Sequence, residues 1–188
     1  MTKLIIILLA LISISCAEQT TLTHSDSFYQ GTKQISLIDN KGNKTLIGTI
    51  DFINQDSAIR YKIHLKHDLF TDYFLSMKEM KCLEGPELWC HLAYPYNNPQ
   101  TITESVFSWL SHDFLFMYKK KSAFGAKFYN GIYYDFKQSG DRLIGTAMAV
   151  DLNFLAAPPE DQTVPPISSA ELDEIDGKNR WLPLIEIK

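Results

Sequence analysis

Three cysteines and five histidines are the residues of this 188-residue chain whose types most readily do chemistry. Cys82 and Cys90 flank Glu84-Gly85-Pro86-Glu87, a turn sequence. Two strands folding back there set the sulfurs across a hairpin, so the pair reads as a disulfide in an oxidising compartment. Two separate buried thiols are the plain alternative. A zinc pair needs more soft ligands at close spacing than this stretch offers. Among His24, His64, His67, His91 and His112, only His64 and His67 are close in sequence. Three positions apart on a strand they face opposite ways, so they are not expected to share a metal. His67-Asp68 and His112-Asp113 look like dyads, but adjacent residues do not face each other on strands or helices. Glu84 and Glu87 could act as a carboxylate pair only if a cleft held them at a set separation. A solvated turn is the expectation. No serine has the Gly-x-Ser-x-Gly setting of a nucleophile elbow, and there is no Walker loop or dinucleotide fingerprint. No catalytic residue, metal ligand or cofactor is therefore assigned.

The third cysteine, Cys16, closes an N-terminal segment of a different kind. Met1-Thr2-Lys3 carries one positive charge, and Leu4 to Ile14 is apolar apart from Ser13. That run is shorter than the ~20 residues a membrane-spanning helix needs, and it fits the apolar region of a secretory signal. Ser13-Ile14-Ser15-Cys16 resembles the lipobox of bacterial lipoproteins, with Ser13 where that family usually has leucine, valine or isoleucine. The resemblance implies cleavage before Cys16 and a lipidated N-terminus. Ala17 and Glu18 then resemble the sorting context of outer-membrane lipoproteins. Cleavage after Ala17, with Ser15 and Ala17 as the small pair, is the competing reading. Lipidation of Cys16 also removes the odd cysteine, since three thiols in an exported protein leave one unexplained.

The domains expected are a signal peptide at 1–15, a polar tether at 16–33, and one β-rich domain at 34–188. The net charge of −4 gives no electrostatic reason to bind nucleic acid. Ile35 to Ile38 reads as a short strand before an Asn40-Lys41-Gly42-Asn43 turn. Thr45 to Phe52 and Ile59 to Lys66 alternate as half-buried strands. With Asn54 to Ser57 as their loop, Phe52 opposes Ile59, Ile50 opposes Tyr61 and Asp51 opposes Arg60. Asp68 to Met77 is ambiguous, with apolar residues at helical spacing over a short stretch. Lys78 to Leu83 and Leu88 to Tyr94 form the cysteine hairpin. Thr101-Ile102-Thr103-Glu104 matches a capping box and predicts a helix over about 102–112. Phe124 to Tyr129 and Ile132 to Gln138 flank Asn130-Gly131, a hairpin signal. Arg142 to Leu155 reads as a long strand with a small-residue face of Gly145, Ala147 and Ala149. The proline-rich segment 158–166 is expected to run extended, Ser169 to Ile175 holds a helical turn, and Trp181 to Ile187 adds a strand that Pro183 confines to an edge.

Eight or nine antiparallel strands, one short helix and no βαβ alternation give a mainly β fold: a meander forming a small barrel or a sandwich. The order of elements resembles calycin-like barrels, which implies architecture alone. Aromatic residues cluster between Phe70 and Phe136, and both faces of the Asn130-Gly131 hairpin carry rings. One face must be core; the other is either covered by the helix or proline-rich tail, or binds a ligand or partner.

The functional expectation is an exported, lipid-anchored cell-envelope protein, on the periplasmic side of the outer membrane or else secreted or periplasmic. It would be a non-enzymatic binding module for a small ligand, lipid, glycan or protein. An envelope hydrolase whose site assembles only in the fold, and a structural or inhibitory interaction protein, are the alternatives. A deep apolar pocket would favour a ligand binder, a cleft with convergent histidines and carboxylates an enzyme, and a filled barrel with an exposed aromatic face a protein partner.

Overall fold

The computed structural model describes residues 28–55, 58–75 and 79–188. The signal segment, Cys16, His24 and tether residues 17–27 lie outside the described residues. So do Asp56 and Ser57 of the first hairpin loop, and Ser76, Met77 and Lys78.

The fold is mainly antiparallel β. Its strands are β1 (Gly31–Ile38), β2 (Lys44–Gln55), β3 (Ala58–Leu65), β4 (Thr71–Phe74), β5 (Glu79–Glu84), β6 (Leu88–Leu92), β7 (Thr101–Ile102), β8 (Leu115–Lys119), β9 (Gly131–Gln138), β10 (Leu143–Val150), β11 (Asp173–Glu174) and β12 (Leu184–Ile187). They form one sheet in the order β4-β5-β6-β8-β9-β10-β12-β1-β2-β3-β7, with β11 beside β10. One short helix, α1 (Ser108–Asp113), leads into β8.

Alternating strands place side chains on opposite faces, and here both faces are buried in part. Ile35, Ile50, Tyr61, Leu83, Trp89, Phe116, Tyr134, Leu143 and Ile185, from nine different strands, share one apolar cluster. Strands so far apart in the order can meet only if the sheet wraps around that cluster. The hydrogen-bonded path nevertheless ends at β4 on one side and β7 on the other, so the wrap is an open sheet rather than a closed barrel. Its interior is filled: Trp89, Phe114, Phe116 and Tyr134 are fully buried. A second cluster lies on the outside of β5, β6, β8 and β9, where Cys82, Leu88, Cys90, Leu115, Met117 and Tyr133 meet Leu152, Leu155 and Ile167. Thus Tyr133 is covered by the segment after β10, while Tyr134 and Phe136 face the main core.

Several expectations need correction. The β2–β3 register pairs Phe52 with Tyr61, Ile50 with Ile63 and Asp51 with Lys62, two positions from the predicted one. The strands extend to Gln55 and Ala58, so the loop is shorter than expected. An even slip keeps every side chain on its face. In β2 a bulge opposite Ile35 and Ser36 inserts Ile47, turning it into the core against the alternation. The predicted tether is too long: Phe28 and Tyr29 are buried beside Phe52, and β1 begins at Gly31. The ambiguous stretch after Lys66 is a single 3-10 turn, His67–Leu69, followed by β4.

The helix predicted from Thr101 begins only at Ser108. Thr101 and Ile102 instead pair with Arg60 and Ile59 on the open edge of β3. Phe124 to Tyr129 is not a strand, and Asn130-Gly131 is not a two-residue hairpin loop. Gly131 opens β9 and pairs with Met117 of β8, so residues 120–130 form the connection. Gly131 is needed for close approach rather than for a turn: a Cβ there would sit 2.4 Å from the Val150 carbonyl oxygen and 2.5 Å from Leu152. The long strand ends at Val150, giving way to a 3-10 turn over Leu152–Ala156. Segment 158–166 bends and turns, with the Asp161 carboxylate accepting from the Thr163 N–H, rather than running extended. Pro183 precedes β12 without confining it, because β12 pairs on both sides, with β10 and with β1.

Candidate functional site

Cys82 and Cys90 stand directly opposite one another on β5 and β6, their Cα atoms 3.8 Å apart, and are joined as a disulfide. Both are fully buried in the second cluster, where they touch no solvent. The bridge is therefore a staple rather than a reactive centre.

The turn before Leu88 is not simply solvated. The Glu87 carboxylate accepts from the Trp89 indole N–H at 3.1 Å and from the Trp181 backbone N–H at 3.2 Å, and pairs with Arg180 at 3.0 Å. The Arg180 guanidinium stacks over Tyr118 at 4.1 Å. Glu84 is exposed and lies near Tyr73 and Thr71, whose hydrogen bonds hold its carboxyl below the ordinary range. Glu87 is thus occupied in joining the β5–β6 turn to the chain before β12, and the two glutamates do not form a catalytic pair.

Of the histidines, His64 lies on the exposed face of β3 and pairs with Asp51 at 3.0 Å. His112, in α1, is fully buried. Its Nδ1–H donates to the Ser108 carbonyl at 2.8 Å, and its Nε2 accepts the Ile167 N–H at 3.3 Å. With both nitrogens engaged in the neutral ring and burial opposing its charge, its pKa is lowered. The neighbouring Asp113 points elsewhere, so the adjacent pair is not a dyad.

Asp113 is where chemistry concentrates. It ends α1 and lines a cleft of about 200 Å³ with Ile63, Leu65, His67, His91 and Tyr94. The Tyr61 hydroxyl donates to Asp113 Oδ2 at 2.9 Å, and His91 Nε2–H donates to the Asp113 backbone carbonyl at 2.9 Å. Burial lifts the Asp113 carboxyl to about 6, against the downward pull of the hydrogen bonds from Tyr61 and Asn98. Burial also lowers the His91 pKa, with His67 adding to the effect, so His91 is a neutral donor. Tyr61 is pushed far up by burial and by the charge of Asp113, which keeps it protonated. His67 remains exposed at the rim.

One further feature belongs to this cleft. Gln100 lines it with φ of 52°, the one non-glycine residue with positive φ among those described. Its N–H is held by the Asn98 side chain and its carbonyl accepts from the Tyr61 N–H, so local hydrogen bonds impose the left-handed backbone. Tyr94 instead sends its ring into the second cluster, against Tyr96, Trp109 and His112, where its hydroxyl is buried without a hydrogen-bond partner among the described residues. Such an orphan costs about 1–3 kcal/mol. At the cleft, a carboxyl titrating at about 6 and two imidazoles can accept, donate and exchange protons with a small polar molecule. No group of three or more His, Cys, Asp or Glu arranged to hold a metal occurs among the described residues.

The sequence sets Asp113 beside His112, a pair not expected to face each other, and the structure keeps their side chains on separate partners. The true partners, Tyr61 and His91, come from β3 and β6, and no local spacing announces them. Comparison of the chain with protein-family models, with curated proteins and with solved structures finds no match.

Proposed function

We propose that this chain is an exported protein of the bacterial cell envelope, anchored through a lipid on Cys16, whose β domain is a binding module with its ligand site at the Asp113 cleft. The observation that carries the binding reading is the cleft itself: Asp113, His91 and His67 line about 200 Å³ of space. Ile63 and Leu65 supply an apolar wall, and the polar groups would fix orientation. The volume suits a ligand of amino-acid or monosaccharide size bearing hydrogen-bond donors. The filled interior of the sheet argues against the lumen of a calycin-like barrel as the site. Export is supported by the apolar N-terminal run and by the Cys82–Cys90 bridge, which suits an oxidising compartment.

An acid–base enzyme of the envelope is the second reading. The Asp113 carboxyl at about 6 favours it, because a general base or acid works best near ambient pH.

Intact mass spectrometry of the mature protein tests the anchor. A mass for a chain beginning at an acylated Cys16 is expected; a non-acylated chain beginning at Ala17 or Glu18 overturns it. Thermal-shift screening of the Cys16→Ser chain against amino acids and monosaccharides tests the site. Binding that disappears in Asp113→Asn and weakens in His67→Ala supports it. Hits indifferent to both variants overturn the assignment, and hits converted to product establish the enzyme reading.

A further inference from the structure

The connection between β8 and β9 is the part of the surface that the cleft does not use. Residues 119–129 present Lys120, Lys121 and Lys127, with Lys119 buried at the end of β8, and hold no acidic residue, in a chain whose net charge is −4. The same connection presents Phe124, 96% exposed, and Tyr129, 61% exposed, with the Lys127 ammonium 5.9 Å from the Tyr129 ring centre. It leans on the end of the edge strand β4, where the Ala126 N–H donates to the Leu75 carbonyl at 2.9 Å. That contact brings it beside Phe74, 79% exposed. Three of the most exposed large apolar side chains thus sit on two adjoining segments. The acidic groups nearby are partly neutralised: Asp72 pairs with Lys81 at 2.5 Å and Glu84 with Lys121 at 3.7 Å, leaving Glu79 exposed. Lys120 and Lys127 carry no ion pair among the described residues.

Solvent-exposed phenylalanine rings are unfavourable in water, and burying one is favourable. Rings flanked by lysines match the interface of an anionic bilayer, where rings enter the headgroup region and ammonium groups meet lipid phosphates. Each lysine near such a surface adds an attraction that salt screens. A second copy of an acidic chain would offer no phosphate layer, and a purely apolar partner would leave the lysines unmatched.

We infer that the 119–129 connection, with Phe124 at its tip and Phe74 beside it, is a membrane-contacting surface for anionic phospholipid. It goes beyond the lipid anchor, because it would hold the domain against the bilayer in one orientation whether or not Cys16 is acylated.

Co-sedimentation of the full mature chain carrying Cys16→Ser tests this without the anchor. The probes are vesicles of phosphatidylglycerol with phosphatidylethanolamine, and vesicles of phosphatidylcholine alone. Binding to the anionic vesicles alone, weakened by salt, is expected. Phe124→Asp and the double variant Lys120→Glu/Lys127→Glu should each weaken it about tenfold or more. Because Phe124 is almost wholly exposed, its variant should melt with the parent, so lost folding is not an explanation. Absence of vesicle binding, or binding that ignores both variants, overturns the inference. Concentration-dependent dimerisation abolished by Phe124→Asp would also overturn it, assigning the surface to a second copy. Since no arm depends on acylation, its failure is separate from failure of the anchor.

Discussion

The buried ring of His112 accepts the backbone N–H of Ile167, tying α1 to the strap that covers the second apolar cluster. Nε2 can accept only while the ring is neutral, because Nδ1–H already donates to Ser108. The folded pKa is lowered, so the unfolded chain binds this proton more readily. The contribution is therefore fully present above the unfolded value of about 6.5 and is lost as pH falls toward the folded pKa. Measured against a variant that lacks the ring and keeps the opposing Asp113 contribution, the wild type should lose up to about 2 kcal/mol in urea unfolding between pH 7.5 and 5. In His112→Gln that slope should flatten, with lower stability throughout.

Asp113 works in the opposite direction. Its carboxyl is raised from 3.8 to about 6, so the unfolded chain releases its proton first as pH rises. Stability linked to this group is complete below the unfolded value and is lost as pH climbs through about 6. Asp113→Asn, which keeps an acceptor for the Tyr61 hydroxyl, should be more stable than wild type at pH 8 by about 1–3 kcal/mol and equal to it near pH 4. A residue whose replacement stabilises the fold but abolishes ligand binding is held for function. Chemical denaturation at the two pH values measures the first half.

Removal of the staple between β5 and β6 should be costly. Cys82→Ala/Cys90→Ala should lower stability by about 2–3 kcal/mol, the loop-entropy scale for so short a crosslink. The parent should resist thiol reductant until denaturant is added, because both sulfurs are fully buried. Free-thiol titration with and without denaturant checks this.

Gly131 and Asn130 should respond unequally. Gly131→Ala puts a methyl against the Val150 carbonyl and Leu152, and an overpacking cost of about 1–3 kcal/mol is expected. Asn130→Ala loses only a long side-chain bond to the Tyr118 carbonyl at 3.4 Å, and should cost less than about 1 kcal/mol. A two-residue hairpin turn would instead make both substitutions expensive. Melting curves of the two variants separate the cases.

Alternation made β2, β3 and β9 legible in the sequence, and the turn around Gly85-Pro86 made the cysteine pairing legible as well. Pairing partners were harder. Asn54 and Gln55 look like loop residues, yet ladder bonds to Ile59 and Ala58 absorb them, moving the register by two. Thr101 and Glu104 satisfy a local helix signal, but the unpaired edge of β3 captures Ile102 first. Asn130-Gly131 reads as a turn because a glycine required for close packing is spelled the same way as one required for positive φ. The cleft was the least legible feature, because Tyr61, His91 and Asp113 become neighbours only when β3, β6 and α1 are assembled.

β12 lies between β10 and β1, and its Glu186 takes Lys44 and Arg142 as ion partners, the first of them 142 positions away. The seam of the sheet is therefore sewn with residues 184–187. Until those four residues arrive, β1 and β10 each carry a bare edge, and the main core lacks Ile185 and Ile187. A nascent chain that has not yet made β12 would remain an incomplete, extendable sheet and would lock only when that strand arrives. The order of assembly is thus written into the strand order, with β12 as the latch between two earlier-made strands.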